Sequence, residues 1–62
     1  AGNKSFERFK VGDKVTHVAF GEGVIMSARE MGTDVLYEIA FETVGTKKLM
    51  ATFAKLKRAA KN

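Results

Sequence analysis

Cysteine is absent from this chain, and so is proline. Without thiols there is no disulfide staple, no thiolate zinc site and no cysteine nucleophile. A cysteine-free chain also suits a reducing compartment. Without proline, chain reversals rest on glycine, and Gly12, Gly21, Gly23, Gly32 and Gly45 fall at or between short apolar runs. No apolar run approaches the roughly 20 residues of a membrane-spanning helix, and no signal-peptide pattern opens the sequence. The expectation is a soluble cytoplasmic protein with no membrane partner.

The groups that carry catalysis are equally scarce. His17 is the only histidine. The carboxylates are scattered, with no HExxH, DxD or paired-glutamate spacing. Metal sites need several ligands and nucleophilic triads need three groups, so His17 reads as a structural or surface residue. Gly21-Glu22-Gly23 is a fragment of a glycine-rich loop without the lysine and helix start that a phosphate cradle requires. It reads better as a hairpin turn. Neither an autonomous enzyme nor a cofactor is expected.

Acids are missing from one end. Up to Val44, five basic residues face seven acids; from Gly45 onward there are six basic residues and no acid, and the net charge is +4. Such a basic end suits an acidic partner, either nucleic acid or an acidic protein surface. It also suits a plain solvated tail that keeps a small domain in solution.

What is present is one small domain's worth of chain. The 62 residues are 45% hydrophobic, which is ordinary for a globular protein and too much for a disordered tail. A chain this short buries only about 60% of its unfolded surface, so its core is thin. The first nine residues read as a flexible linker or a cloning remnant, residues 10–58 as the domain and 59–62 as a basic tail.

Alternation over Lys14 to Ala19 predicts a first strand, and Phe20 to Gly23 a tight turn. Val24 to Ala28 predicts a second strand with Val24, Met26 and Ala28 on one face, followed by a hairpin loop over Arg29 to Asp34. Val35 to Phe41 has the clearest period-two pattern, with Val35, Tyr37, Ile39 and Phe41 on one face. Glu42 to Gly45 predicts a turn and Thr46 to Met50 a fourth strand. Ala51 to Ala54 predicts a helical turn, and Lys55 to Lys57 a closing strand. A longer C-terminal helix from Thr52 to Lys61 is the competing reading, although short for a helix without packing. Short strands on short connections predict an all-β fold, a small five-stranded barrel with a helical turn before the last strand. The expected core is Val15, Val18, Phe20, Val24, Met26, Val35, Tyr37, Ile39, Leu49, Phe53 and Leu56.

Two features could bind a partner. Lys47 and Lys48 follow the turn at Glu42 to Gly45, and Phe20 sits at the first turn with His17 nearby. Small barrels bind peptides or bases through aromatics and loops at one end. Adjacent strand residues point to opposite faces, so only one of the two lysines can meet a given partner. Phe20 could equally plug the barrel end, and the lysines could equally guard an edge strand from aggregation. The stretch from Lys55 to Lys61 has no interleaved aromatic, which weakens a stacking platform for single strands.

The run Phe9-Lys10-Val11-Gly12-Asp13-Lys14-Val15-Thr16-His17, continued by Phe20-Gly21-Glu22-Gly23-Val24-Ile25, resembles the opening of the C-terminal Tudor-like domain of bacterial UvrD/PcrA superfamily 1 DNA helicases. The resemblance continues through Ile39-Ala40-Phe41, Val44-Gly45-Thr46-Lys47-Lys48-Leu49 and Phe53-Ala54-Lys55-Leu56, in the same order and with the same gaps. It covers residues 9 to 57. It implies a Tudor-like barrel without catalysis, attached to an ATP-dependent 3′–5′ DNA helicase. The implied role is to dock that helicase onto RNA polymerase for transcription-coupled DNA repair and RNA–DNA hybrid removal. The family's polymerase-contacting lysine maps to Lys47, so the expected partner-binding residues are Gly45, Thr46, Lys47 and Lys48, with Phe20 and His17. Thr46 stands where the family usually has Ile or Val, and Lys55 where it often has Pro or Arg. The opening is also similar to polymerase-interaction domains of the CarD and transcription-repair coupling factor family, whose ending differs. The chain is expected to act as a monomer. The rival of another class is a small nucleic-acid-binding barrel, and a weak nucleic-acid contact stays open beside the polymerase reading.

Overall fold

The computed structural model describes residues 9–59. Most of the expected lead-in and tail lies outside those residues. The elements are β1 (Lys14–His17), β2 (Gly21–Met31), β3 (Asp34–Phe41), β4 (Gly45–Met50), α1 (Ala51–Ala54) and β5 (Lys57–Arg58). They form one antiparallel sheet in the order β4-β3-β2-β1-β5. The all-β, five-stranded Tudor-like architecture expected from the sequence is present, with its helical turn before the last strand. The ladder does not close, because β4 and β5 are its two edges. Instead α1 packs on β3 and β4.

The core follows the inward rows of the sheet. Val15 and Ile25 are fully buried, as are Tyr37 and Ile39, with Phe9, Val35, Phe41 and Ala51 joined to them. Phe20, Leu49 and Leu56 pack on this cluster from its margins. Burying one such aliphatic or aromatic side chain contributes roughly 1.5–3 kcal/mol. Tyr37 keeps its polar end satisfied, since its hydroxyl accepts the Phe9 backbone N–H at 2.9 Å. The Phe9 ring meets Tyr37 edge-on, with centroids 6.0 Å apart, and the Arg58 guanidinium lies 5.2 Å from the Phe9 centroid. Arg58 also reaches Asp13 at 3.6 Å. The start of the described chain is thereby tied to its last strand.

Three expected core residues are outside. Val18 is 97% exposed because β1 ends at His17 and Val18 already lies in the turn. Met26 is exposed at a bulge, for the register passes from Ile25↔Ile39 to Ser27↔Glu38 and leaves Met26 without an opposite residue. Phe53 is 83% exposed. In α1 the inward positions are Ala51 and Ala54, three apart on one helical face, and Phe53 falls on the other. Val24, also expected inside, is only partly buried, opposite Lys14 and Ala40. The phase of β2 is thus one residue off the expected one, with Gly23 and Ile25 facing in.

Strand lengths differ too. The β2–β3 hairpin runs on to Met31↔Asp34, leaving only Gly32 and Thr33 as its turn. Gly32 takes φ +69° while Thr33 does not, the pattern of a type II′ hairpin. The closing strand begins at Lys57 rather than Lys55. Lys55 is the left-handed cap of α1, at φ 51°, with its N–H donating to Ala51 O at 3.3 Å. The same cap excludes the longer helix from Thr52.

Gly23 sits between Val15 on β1 and Phe41 on β3. A Cβ there would lie 2.8 Å from Ile39 Cγ2, 2.8 Å from Phe41 Cδ1 and 2.9 Å from the Ala40 carbonyl oxygen. Backbone cannot yield as a side chain can, so Gly23→Ala is expected to destabilise by about 1–3 kcal/mol. Chemical denaturation checks this through a lower midpoint.

α1 has no cap from its own sequence, but Asp34 supplies one from β3. Its Oδ1 accepts the N–H of Val35 at 2.8 Å and that of Thr52 at 3.1 Å. Desolvation acts to raise the Asp34 carboxyl, yet the hydrogen bonds from Val35 and Thr52 outweigh it and leave the group below its ordinary value of 3.8. A carboxyl lowered in the native state stabilises the fold above its unfolded value and loses that contribution as pH falls through the native one. Asp34→Asn keeps an acceptor but removes the titration. The variant is expected to lose less stability than the parent between pH 4 and more acidic conditions, as read by denaturation midpoints across about that range.

Candidate functional site

One end of the sheet gathers the turn after β1, the turn after β3 and the first residues of β4. The turn over residues 18–20 is organised by His17. Its Nδ1 accepts the backbone N–H of Ala19 at 3.0 Å and of Phe20 at 3.2 Å. A neutral ring that accepts at Nδ1 carries its proton on Nε2. The same imidazole stacks on the Phe20 ring with centroids 4.5 Å apart and planes 16° from parallel. Phe20 in turn meets Phe41 edge-on at 5.3 Å, and His17 meets Phe41 at 6.0 Å. Each such pair is worth about 0.5–1.5 kcal/mol beyond its buried area.

The second turn is fastened to the first. Thr43 Oγ1 donates to the Phe20 carbonyl at 3.3 Å, and the Glu42 N–H donates to the Glu22 carbonyl at 3.0 Å. Gly45, at φ +82°, then starts β4 opposite Phe41. Two residues on, Lys47 pairs with Ile39 and therefore lies on the inward face. Its side chain is exposed, and Nζ lies 5.6 Å from the Phe20 centroid. A cation over an aromatic ring at an exposed site gains about 0.5–1 kcal/mol, enough to bias where the ammonium rests.

Of the residues singled out in the sequence, the structure brings His17, Phe20 and Lys47 into one cluster with Gly45 at its base. Thr46 and Lys48 are on the opposite face. Thr46 pairs with Ala40 and Lys48 with Glu38, beside Ser27, Arg29 and Leu36. The alternation of adjacent lysines stands as expected, and Lys47 is the one that shares the aromatic end. Phe20 is half-buried, so it closes the end of the core and still presents itself at the surface. Sequence reasoning left Phe41 and Thr43 out of this site. The period-two pattern of β3 carried a signal for Phe41, whereas nothing local marks Thr43.

Residues 11–58 match the family described as the PcrA/UvrD tudor domain. The chain belongs to the PcrA/UvrD tudor domain family. The match takes in the whole aromatic and lysine cluster of this tudor domain. The chain is 46% identical over 46 residues to an ATP-dependent DNA helicase PcrA of Staphylococcus epidermidis, covering 74% of the chain and 6% of that relative. It is 38% identical over 50 residues to an ATP-dependent DNA helicase PcrA of Staphylococcus aureus, covering 81% of the chain and 7% of the relative. The tudor domain thus spans a small fraction of the curated relatives it matches. Among the described residues, no group of three or more His, Cys, Asp or Glu side chains could hold a metal ion. No helix there is long and apolar enough to cross a membrane.

His17→Phe keeps an aromatic stack on Phe20 but removes the acceptor for two backbone N–H groups. At about 1 kcal/mol net per hydrogen bond, the expected loss is about 1–2 kcal/mol. Faster amide exchange at Ala19 and Phe20, alongside a lower denaturation midpoint, is the expected readout.

Proposed function

We infer that this tudor domain is a non-catalytic protein-interaction module of an ATP-dependent DNA helicase of the PcrA/UvrD type, which it docks onto RNA polymerase. The setting proposed is transcription-coupled DNA repair and the removal of RNA–DNA hybrids. The domain acts there as a monomer. Family membership supports the parentage, as do the relatives, which are named as DNA helicases.

The observation that carries the docking reading is the placement of Lys47. Its ammonium is exposed beside a half-buried aromatic, on a strand that is an edge of the sheet. An edge strand offers unpaired backbone groups to an added strand. A lysine beside that edge can donate charge-assisted hydrogen bonds to a carboxylate or carbonyl of the incoming segment. Steering by the acid-free end of the chain favours an acidic partner surface.

Recovery of RNA polymerase on the immobilised domain tests this. Lys47→Ala removes an exposed side chain and leaves the core untouched, so the fold should persist. Loss of one charge-assisted contact costs about 2 kcal/mol, more than tenfold in affinity. The expected result is strong recovery by the parent domain and little by the variant. Equal recovery by both would remove Lys47 from the interface, and no recovery by either would end the docking reading.

A further inference from the structure

We propose that the α1–β5 segment is a second binding surface, for single-stranded nucleic acid, in which a base stacks on Phe53 and the lysines beside it meet the phosphates. The observation is the position of Phe53, an aromatic ring 83% exposed in a domain with a thin core. Nothing in the aromatic cluster at the Lys47 end involves it. The sequence offered no aromatic for the basic C-terminal stretch as long as Phe53 was read as core. The helical phase of α1 turns that reading over, because Ala51 and Ala54 take the inward positions.

The chemistry around the ring selects the occupant. Thr52 and Lys55, the exposed residues nearest Phe53 in the chain, are polar and cationic rather than apolar. A docked peptide helix or strand needs several apolar contacts in a groove. A nucleobase needs one open π-face, and each flanking phosphate needs a nearby cation. Lys55 and Lys57 follow Phe53 within four residues, both exposed, while Arg58 is engaged by Asp13 and the Phe9 ring, and no acid occurs from Gly45 to the end of the chain. Lys55 is held in the left-handed cap conformation, which fixes its backbone relative to α1. Among the described residues Asp34 approaches α1, with its Oδ1 engaged by the Val35 and Thr52 backbone N–H groups. An exposed aromatic beside two exposed lysines therefore fits a strand of bases and phosphates better than a folded protein surface.

Fluorescence anisotropy with a labelled oligo(dT) of about a dozen nucleotides, within the site sizes typical of small barrels, tests the surface. The expected result is micromolar binding at low salt, with a log–log salt slope of about −1.4 for two phosphate contacts. Phe53→Ala and Phe53→Leu should each weaken binding about fivefold or more, because leucine restores apolar bulk but not the π-face. Lys55→Asn, which tolerates the left-handed backbone, should flatten the salt slope. Unchanged denaturation midpoints in these exposed-site variants establish that the fold is intact. Lys47→Ala should bind oligo(dT) as the parent does, which separates this surface from polymerase docking. No binding by the parent domain overturns the proposal, and so does binding that survives Phe53→Ala. Loss on Lys47→Ala would place the strand at the other end of the sheet. Equal displacement by an oligoglutamate peptide at matched charge would make an acidic polypeptide the occupant instead.

Discussion

The close approach at Gly23 governs how the rest of this sheet is arranged. Val15, Gly23 and Phe41 lie side by side on three neighbouring strands, and the middle one has no side chain. Ile39 and Phe41 occupy the space a Cβ would need. That contact sets the inward phase of β2 and buries Ile25 behind it. It also allows Phe41 to lie across the end of the core, where Phe20 and His17 then stack. A side chain at this point would push β2 and β3 apart where the packing is tightest.

The aromatic end is a consequence of that arrangement rather than a separate device. His17 uses one nitrogen to hold the turn that carries Phe20, and its ring face to hold Phe20 itself. The turn after β3 is pinned to the same backbone through Thr43. Lys47 therefore emerges beside turns that are hydrogen-bonded to one another, while its own side chain is solvated. At the other end the domain uses different means. Asp34 caps α1 from across the sheet, and Arg58 bridges Asp13 and the Phe9 ring. These polar links fasten the two chain ends of a sheet whose ladder stays open.

The two proposed surfaces divide the work of a small module. The Lys47 surface combines an edge strand with a placed cation, which suits a protein segment. The Phe53 surface combines a bare ring with neighbouring cations, which suits a flexible charged strand. They lie on different elements, so one could be lost without the other.

Much of this was legible in the chain itself. The alternation of β3, the glycine punctuation and the absence of catalytic groupings follow from local chemistry, and so does the likeness to UvrD/PcrA domains carried by the spaced motifs. Lys47 and Lys48 had to face apart, since neighbouring strand residues always do. The phase of β2 was not legible, because Val24-Ile25-Met26 is apolar throughout and the inward glycine gives no hydrophobic signal. The fate of Phe53 was also hidden. Whether an aromatic on a single helical turn packs or projects depends on which face of that turn meets the sheet, and here Ala51 and Ala54 take the inward positions. Local sequence decided which residues alternate and where the chain turns; the distances between strands, which no local pattern encodes, decided which side of each element faces the core.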